Sequence, residues 1–138
     1  MAVRQLTGAS FDDVVIADGI VLIDCWASWC QGCKQFGPVF EAAAERFPAH
    51  TFAQVDTQAE GELTEKLGVR HIPTLILFRD GILLLRQPGY VPAEGLDEIV
   101  EKAAALDMDH VRSEMERDQQ AAPAQASSSA TEGRNTND

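Results

Sequence analysis

Two hydrophobic rhythms alternate along residues 1 to about 118. Val3–Leu6 reads as a short strand, and Ser10 stands where it can cap a short helix beginning at Phe11, with Asp12 and Asp13 in its first turn. Val21-Leu22-Ile23-Asp24-Cys25-Trp26 is a near-continuous apolar run, the pattern of a strand covered on both faces. From Gln31 to Phe47 the period becomes helical, with Phe36, Val39, Phe40, Ala43 and Phe47 on one stripe and Pro38 as a kink. Thr51–Asp56 predicts a second central strand, and Glu60–Leu67 a short helix stopped by Gly68.

Beyond this point the rhythm changes. Thr74–Phe78 and Ile82–Arg86 are strands around Arg79-Asp80-Gly81, an Asp-Gly hairpin signal. A last helix is predicted from near Pro92, with Leu96, Ile99, Val100 and Ala103 on one face. Leu106, Val111 and Met115 roughly prolong that stripe, either unbroken or with an interruption near Asp107. The order β-α-β-α-β-α-β-β-α, without internal repeat, implies an α/β fold. Its sheet is mixed, parallel first and closed by an antiparallel hairpin, with helices on both faces. The expected organisation is a domain over residues 1–106, a helical extension over 107–118 and a polar tail over 119–138. From Gln119 onward the chain has no large apolar residue, so it is expected to be disordered: burial there cannot offset an ordering cost of about 1–2 kcal/mol per residue.

Length and charge narrow the function classes. A chain of 138 residues is one ordinary domain with a tail. Its 22 acidic and 11 basic residues give a net charge of −11, spread over both segments, which disfavours phosphate backbones and anionic lipid. Neither a membrane span nor a secretory signal is read in the sequence, so the expected setting is the cytoplasm, with no nucleic-acid or membrane partner. Three cysteines are too few for a disulfide scaffold.

The chemistry is concentrated in Trp29-Cys30-Gln31-Gly32-Cys33-Lys34, between the buried strand and the long helix. Two cysteines separated by two residues at a helix start can close a disulfide. The first thiol is expected to point out at the helix N-terminus, where unpaired N–H groups, the helix dipole and the charge of Lys34 favour a thiolate. A thiolate attacks a substrate disulfide, and the second cysteine resolves the mixed disulfide.

Here the sequence resembles the thioredoxin family. Ile23-Asp24-Cys25-Trp26-Ala27-Ser28-Trp29-Cys30 with Cys33-Lys34 is similar to its active-site signature. Pro38 matches its helix-kinking proline, Ile72-Pro73-Thr74 its cis-proline loop, and Gly81 and Gly89 the glycines that follow. The likeness spans about Val3 to Ala105 and implies the thioredoxin fold. It further implies an exposed nucleophile at Cys30, a buried resolving thiol at Cys33 and a proton acceptor at Asp24, whose pKa burial should raise. Trp29 would shield the rim, and Ile72, Pro73 and Gly89 would bind an extended substrate segment as an added strand. Protein disulfides are the implied substrates. No cofactor is implied beyond the redox-active pair, NADPH entering only through a thioredoxin reductase, and the protein is expected to be monomeric.

Three departures from the family pattern stand out. Gln31-Gly32 replaces the usual Gly-Pro, a change of backbone preference of about 1 kcal/mol, equivalent to tens of millivolts and expected in the oxidising direction. The strand beside Asp24 carries Phe52-Ala53-Gln54 and no lysine, and Cys25 occupies a bulky apolar position. Cys25 is expected to be a buried small hydrophobe, Trp26 core packing, His50 and His110 exposed, and His71 a loop histidine before Ile72, with a position near the thiols that tunes their charge as the alternative. Zinc normally takes four ligands, so the cysteines are not expected to form a metal site. A different class of function, a binding module or chaperone-like adaptor working through the C-terminal extension, is the alternative to an oxidoreductase.

Overall fold

A computed structural model of the chain describes the backbone of residues 2–125 and side chains through residue 118. The elements in order are β1 (Val3–Gln5), α1 (Phe11–Val15), β2 (Ile20–Trp26), α2 (Gln31–Arg46), β3 (Thr51–Asp56), α3 (Gly61–Lys66), β4 (Thr74–Arg79), β5 (Ile82–Pro88), α4 (Ala93–Ala105) and α5 (Met108–Gln125). The chain divides into two compact units between Ala104 and Ala105.

In the first unit the five strands form one sheet in the order β1-β3-β2-β4-β5. Strands β1, β3 and β2 run parallel, while β4 lies antiparallel to both β2 and β5, the mixed sheet that the strand and hairpin signals predict. Period-2 alternation sorts the buried side chains onto two faces. Val21, Ile23, Cys25, Ala53, Val55, Ile76 and Phe78 pack with Phe11, Val14 and Val15 of α1 and Leu63 of α3. Ile20, Leu22, Phe52, Leu75 and Leu77 pack with α2 and α4 on the other face. There Phe40 sits 5.8 Å from Phe36 and 5.2 Å from Phe52, ring centre to ring centre.

Cross-strand register places one polar row on the α2 face. Asp24 is opposite Gln54, and Gln54 opposite Gln5. The Gln5 amide donates to Gln54 Oε1 at 2.8 Å. The hairpin between β4 and β5 turns at Asp80 (φ +54°) and Gly81 (φ +81°), and Asp80 Oδ1 also accepts from the Gly19 N–H at 2.8 Å. Both turn residues use the left-handed region that suits a two-residue hairpin loop.

Several expectations are corrected. Ser10 occupies the N-cap position of α1, but its hydroxyl makes no bond to that helix. It accepts from the Thr7 N–H at 3.0 Å instead, a local turn that competes with capping. His50 is half-buried, stacked on Phe47 with ring centres 6.1 Å apart, because the turn after α2 folds back on its last aromatic residue. Strand β5 continues to Pro88, past Arg86.

The second unit is dominated by α5. The helical stripe is interrupted at Leu106–Asp107, and Asp107 Oδ1 accepts the His110 N–H at 3.2 Å, restarting the helix. Helix α5 extends past 118 to Gln125, into a stretch expected to be disordered. Gln119, Gln120, Ala121 and Ala122 are good helix formers that prolong a helix already nucleated. The rest of the expected tail, 126–138, lies outside the described residues.

Candidate functional site

The site begins where β2 ends. Its apolar run carries Asp24 into the sheet, and Ala27, Ser28 and Trp29 form the turn before α2. Cys30 is the N-cap of α2, with extended backbone (φ −88°, ψ 117°). Its sulfur accepts the Cys33 N–H at 3.2 Å, taking the place of a capping oxygen. Cys30 and Cys33 are joined as a disulfide, Cα to Cα 5.2 Å.

The structure revises one expectation here. Cys30 was expected to be exposed and Cys33 buried, yet they are almost equally covered, at 6% and 5% exposure. With its sulfur bonded to Cys33 and seated over the helix N-terminus, Cys30 packs with Ala27 and Cys33 under Trp26 and Ile72. Trp29 is the exposed group, at 64%.

The loop before β4 closes over the disulfide. The Ile72–Pro73 peptide bond is cis, and Pro73 lies hard against the active-site turn. A Cβ on Gly32 would stand 3.2 Å from Pro73 Cδ, closer than side chains ordinarily approach. The residue that looked like a mere loss of rigidity thus makes room for Pro73, and the only sequence signal for this was a glycine beside the second cysteine. Gly89, at φ +93°, donates its N–H to Pro73 O at 2.7 Å. Next to it Tyr90 is half-exposed, edge-on to Phe36 at 6.3 Å. Sequence reading passed over this aromatic, although it directly follows a glycine already marked for substrate contact. His71 is exposed, and its backbone carbonyl accepts from the Thr74 hydroxyl.

Behind the disulfide lies a cavity of about 440 Å³ lined by Asp24, Trp26, Cys33, Lys34, Glu41 and Gln54, among others. Asp24 is 1% exposed, and burial pushes its carboxyl up to about 7. Its Oδ1 and the indole Nε1 of Trp26 are buried without a hydrogen-bond partner among the described residues, and Trp26 packs against Ala27, Cys30 and Cys33. Lys34 is exposed at the cavity's edge. Cys25 points to the opposite face of the sheet. It is wholly buried, and desolvation, with the Asp24 charge second, pushes its thiol up to about 12. Among the described residues no group of three or more His, Cys, Asp or Glu could hold a metal ion, and no helix is long and apolar enough to cross a membrane.

Comparisons with known proteins agree with this geometry. A family model described as Thioredoxin matches residues 2–102. A protein named putative thioredoxin 2 from Streptomyces coelicolor is 46% identical over 108 residues, covering 78% of this chain and 81% of that protein. A thioredoxin from Staphylococcus saprophyticus is 37% identical, covering 74% of this chain and 98% of that one. Among solved structures, a mutant thioredoxin from Halobacterium salinarum superimposes with a TM-score of 0.71 at 31% identity, covering 76% of this chain and 93% of that chain.

Proposed function

This chain belongs to the thioredoxin family and is a thioredoxin-like dithiol–disulfide oxidoreductase, and on that premise we propose how its residues divide the reaction. Cys30 is the attacking thiol and Cys33 the resolving one. In the reduced protein the Cys30 thiolate attacks one sulfur of a substrate disulfide. The substrate S–S bond breaks, the leaving sulfur takes up a proton, and a mixed disulfide forms. Cys33 then loses its proton to the Asp24 carboxylate and attacks the Cys30 sulfur. The second substrate thiol departs, two electrons have passed to the substrate, and the Cys30–Cys33 disulfide remains.

One observation carries the assignment of Cys30: its sulfur caps α2 and accepts the Cys33 N–H at 3.2 Å. An N–H held against that atom stabilises negative charge on it more than a neutral thiol, and the helix dipole and Lys34 act in the same direction. Asp24 suits its part because a carboxyl held near 7 takes and returns a proton at neutral pH with little driving force lost. Asp24 and Cys33 line the same cavity, whose size and polar groups suit it to hold solvent that passes the proton between them.

Substrate binding falls to the surface around the disulfide. Trp29 supplies exposed apolar area, the backbone at Ile72 offers groups for an added strand, and Pro73 and Gly89 keep the approach open. The protein works as a monomer in the cytoplasm, and a thioredoxin reductase using NADPH restores the dithiol. Purified protein should accelerate reduction of insulin by dithiothreitol, and Cys30→Ser should remove that acceleration. An unchanged rate in the variant refutes the assignment.

A further inference from the structure

Strand β3 lies between β1 and β2, so Gln54 has a neighbour on either hand. Both are polar and directly opposite in register: Gln5 on the β1 side and Asp24 on the β2 side. On the β1 side a bond is made, Gln5 Nε2 donating to Gln54 Oε1 at 2.8 Å. A side-chain amide carries its acceptor oxygen and its NH2 on opposite arms of one planar group. With the oxygen drawn toward β1, the NH2 of Gln54 is turned the other way, toward β2 and Asp24.

Asp24 is a group in need of a donor. It is 1% exposed, and its Oδ1 has no hydrogen-bond partner among the described residues. Gln54 and Asp24 line the same cavity behind the disulfide. Oδ1 takes no bond from Gln54 directly, and a cavity of about 440 Å³ has room for a water between them. The titratable and charged groups facing the cavity from α2 are Cys33 and the exposed Lys34 and Glu41. Asp24's own strand adds the indole N–H of Trp26. Strand β4 sets the apolar Leu75 opposite Asp24, and Cys25 lies on the far face of the sheet, its thiol pushed up to about 12. Gln54 is the one side chain that β3 brings to the lining, and the one amide in it.

We propose that Gln5 and Gln54 are positioning residues for Asp24: Gln5 holds the Gln54 amide with its NH2 toward the carboxylate, and that donor favours the ionised form from across the cavity. The inference rests on the reading of Asp24 as acceptor of the Cys33 proton. A donor facing a carboxylate stabilises its charge, whereas an oxygen in the same place disfavours it. The direction in which one amide faces therefore matters, and an exposed side chain on the edge strand decides it. The hydrogen-bonding polarity of Gln5 is passed across three strands to the proton acceptor.

The test changes what Gln5 can do and reads Asp24. The readout is a carbon-13 NMR titration of the Asp24 carboxyl in the oxidised protein, where Cys33 is held in the disulfide and does not titrate. Gln5→Glu, once ionised, can only accept, so it should turn the Gln54 amide over and bring Oε1 toward Asp24. Gln5→Lys can only donate and should leave the amide as it is. The Asp24 midpoint should rise by about one pH unit in Gln5→Glu and stay near its starting value in Gln5→Lys. High salt screens the direct effect of a charge at this exposed position, and the rise should survive it. Gln54→Leu alone should also raise the midpoint, and in that background Gln5→Glu should add almost nothing. The pH profile of insulin reduction should move to higher pH in Gln5→Glu, in step with the midpoint. Should Gln54→Leu lose stability, the contrast between Gln5→Glu and Gln5→Lys at high salt still decides. A midpoint that does not move, or that moves equally with and without the Gln54 amide, overturns the proposal. The reading of Asp24 as acceptor is then tested separately by the slowing of reduction in Asp24→Asn. Midpoints that move as expected beside an unmoved rate profile uphold the orientation of the amide and refute Asp24 as acceptor.

Discussion

Replacing Asp24 by Asn should stabilise the protein, and by an amount that depends on pH. Asp24 is 1% exposed in the sheet, its Oδ1 lacks a hydrogen-bond partner, and its carboxyl is raised from the ordinary 3.8 to about 7. Between those two values the folded protein holds a proton that the unfolded chain has released, so stability falls as pH rises through the window. Below it the carboxyl is neutral in both states and costs little. Above about pH 7 it is ionised in both, and the folded state bears the full burden of a buried charge, about 4 kcal/mol. Asn keeps the shape and removes the ionisation. Urea denaturation of the oxidised protein and of Asp24→Asn, run in parallel from pH 4 to pH 9, should give a stability difference near zero at the acid end. The difference should grow by roughly 1.4 kcal/mol per pH unit and level off above neutrality near 4 kcal/mol in favour of Asn. A difference that stays flat with pH, or that favours Asp as pH rises, refutes the reasoning.

Other perturbations should give equally definite results. In the reduced native protein a thiol reagent such as DTNB should titrate Cys30 and Cys33 and leave Cys25 unreacted until denaturant is added, because that thiol is fully buried with its pKa near 12. Gly89→Ala should cost about 1–2 kcal/mol in urea denaturation, since φ +93° is strained for any residue with a Cβ. The same variant should raise KM for protein disulfides by disturbing the bond to Pro73. Phe40→Ala should cost about 3–5 kcal/mol, because its ring is fully buried between Phe36 and Phe52.

What was legible in the sequence was whatever depends on local pattern. The unbroken apolar run around Asp24 announced a strand covered on both sides, and hence a carboxyl lifted by desolvation. Asp80-Gly81 announced the hairpin, because few residues tolerate positive φ there. The cysteine spacing at a helix start announced the disulfide. The unreadable features all depend on approach between distant segments. The contact between Gly32 and Pro73 joins elements some forty residues apart, and no periodicity encodes it. Cys30 read as exposed because its position at a helix start was visible, while the covering by Ile72 arrives from another loop. Ser10 had the right chemistry and place for a cap, but Thr7 competes for the same hydroxyl. Helix α5 runs on to Gln125 where the sequence offers no apolar stripe, because propagation of an existing helix does not require one.

The file of Asp24, Gln54 and Gln5 across three parallel strands has a consequence for alignment. Were β3 to slide by one position, Gln54 would swing to the face where Ala53 and Val55 now pack, and an amide would be stranded in hydrocarbon. The groups that weaken this sheet energetically thereby act as its index marks, permitting one pairing of β3 against its neighbours and penalising the next.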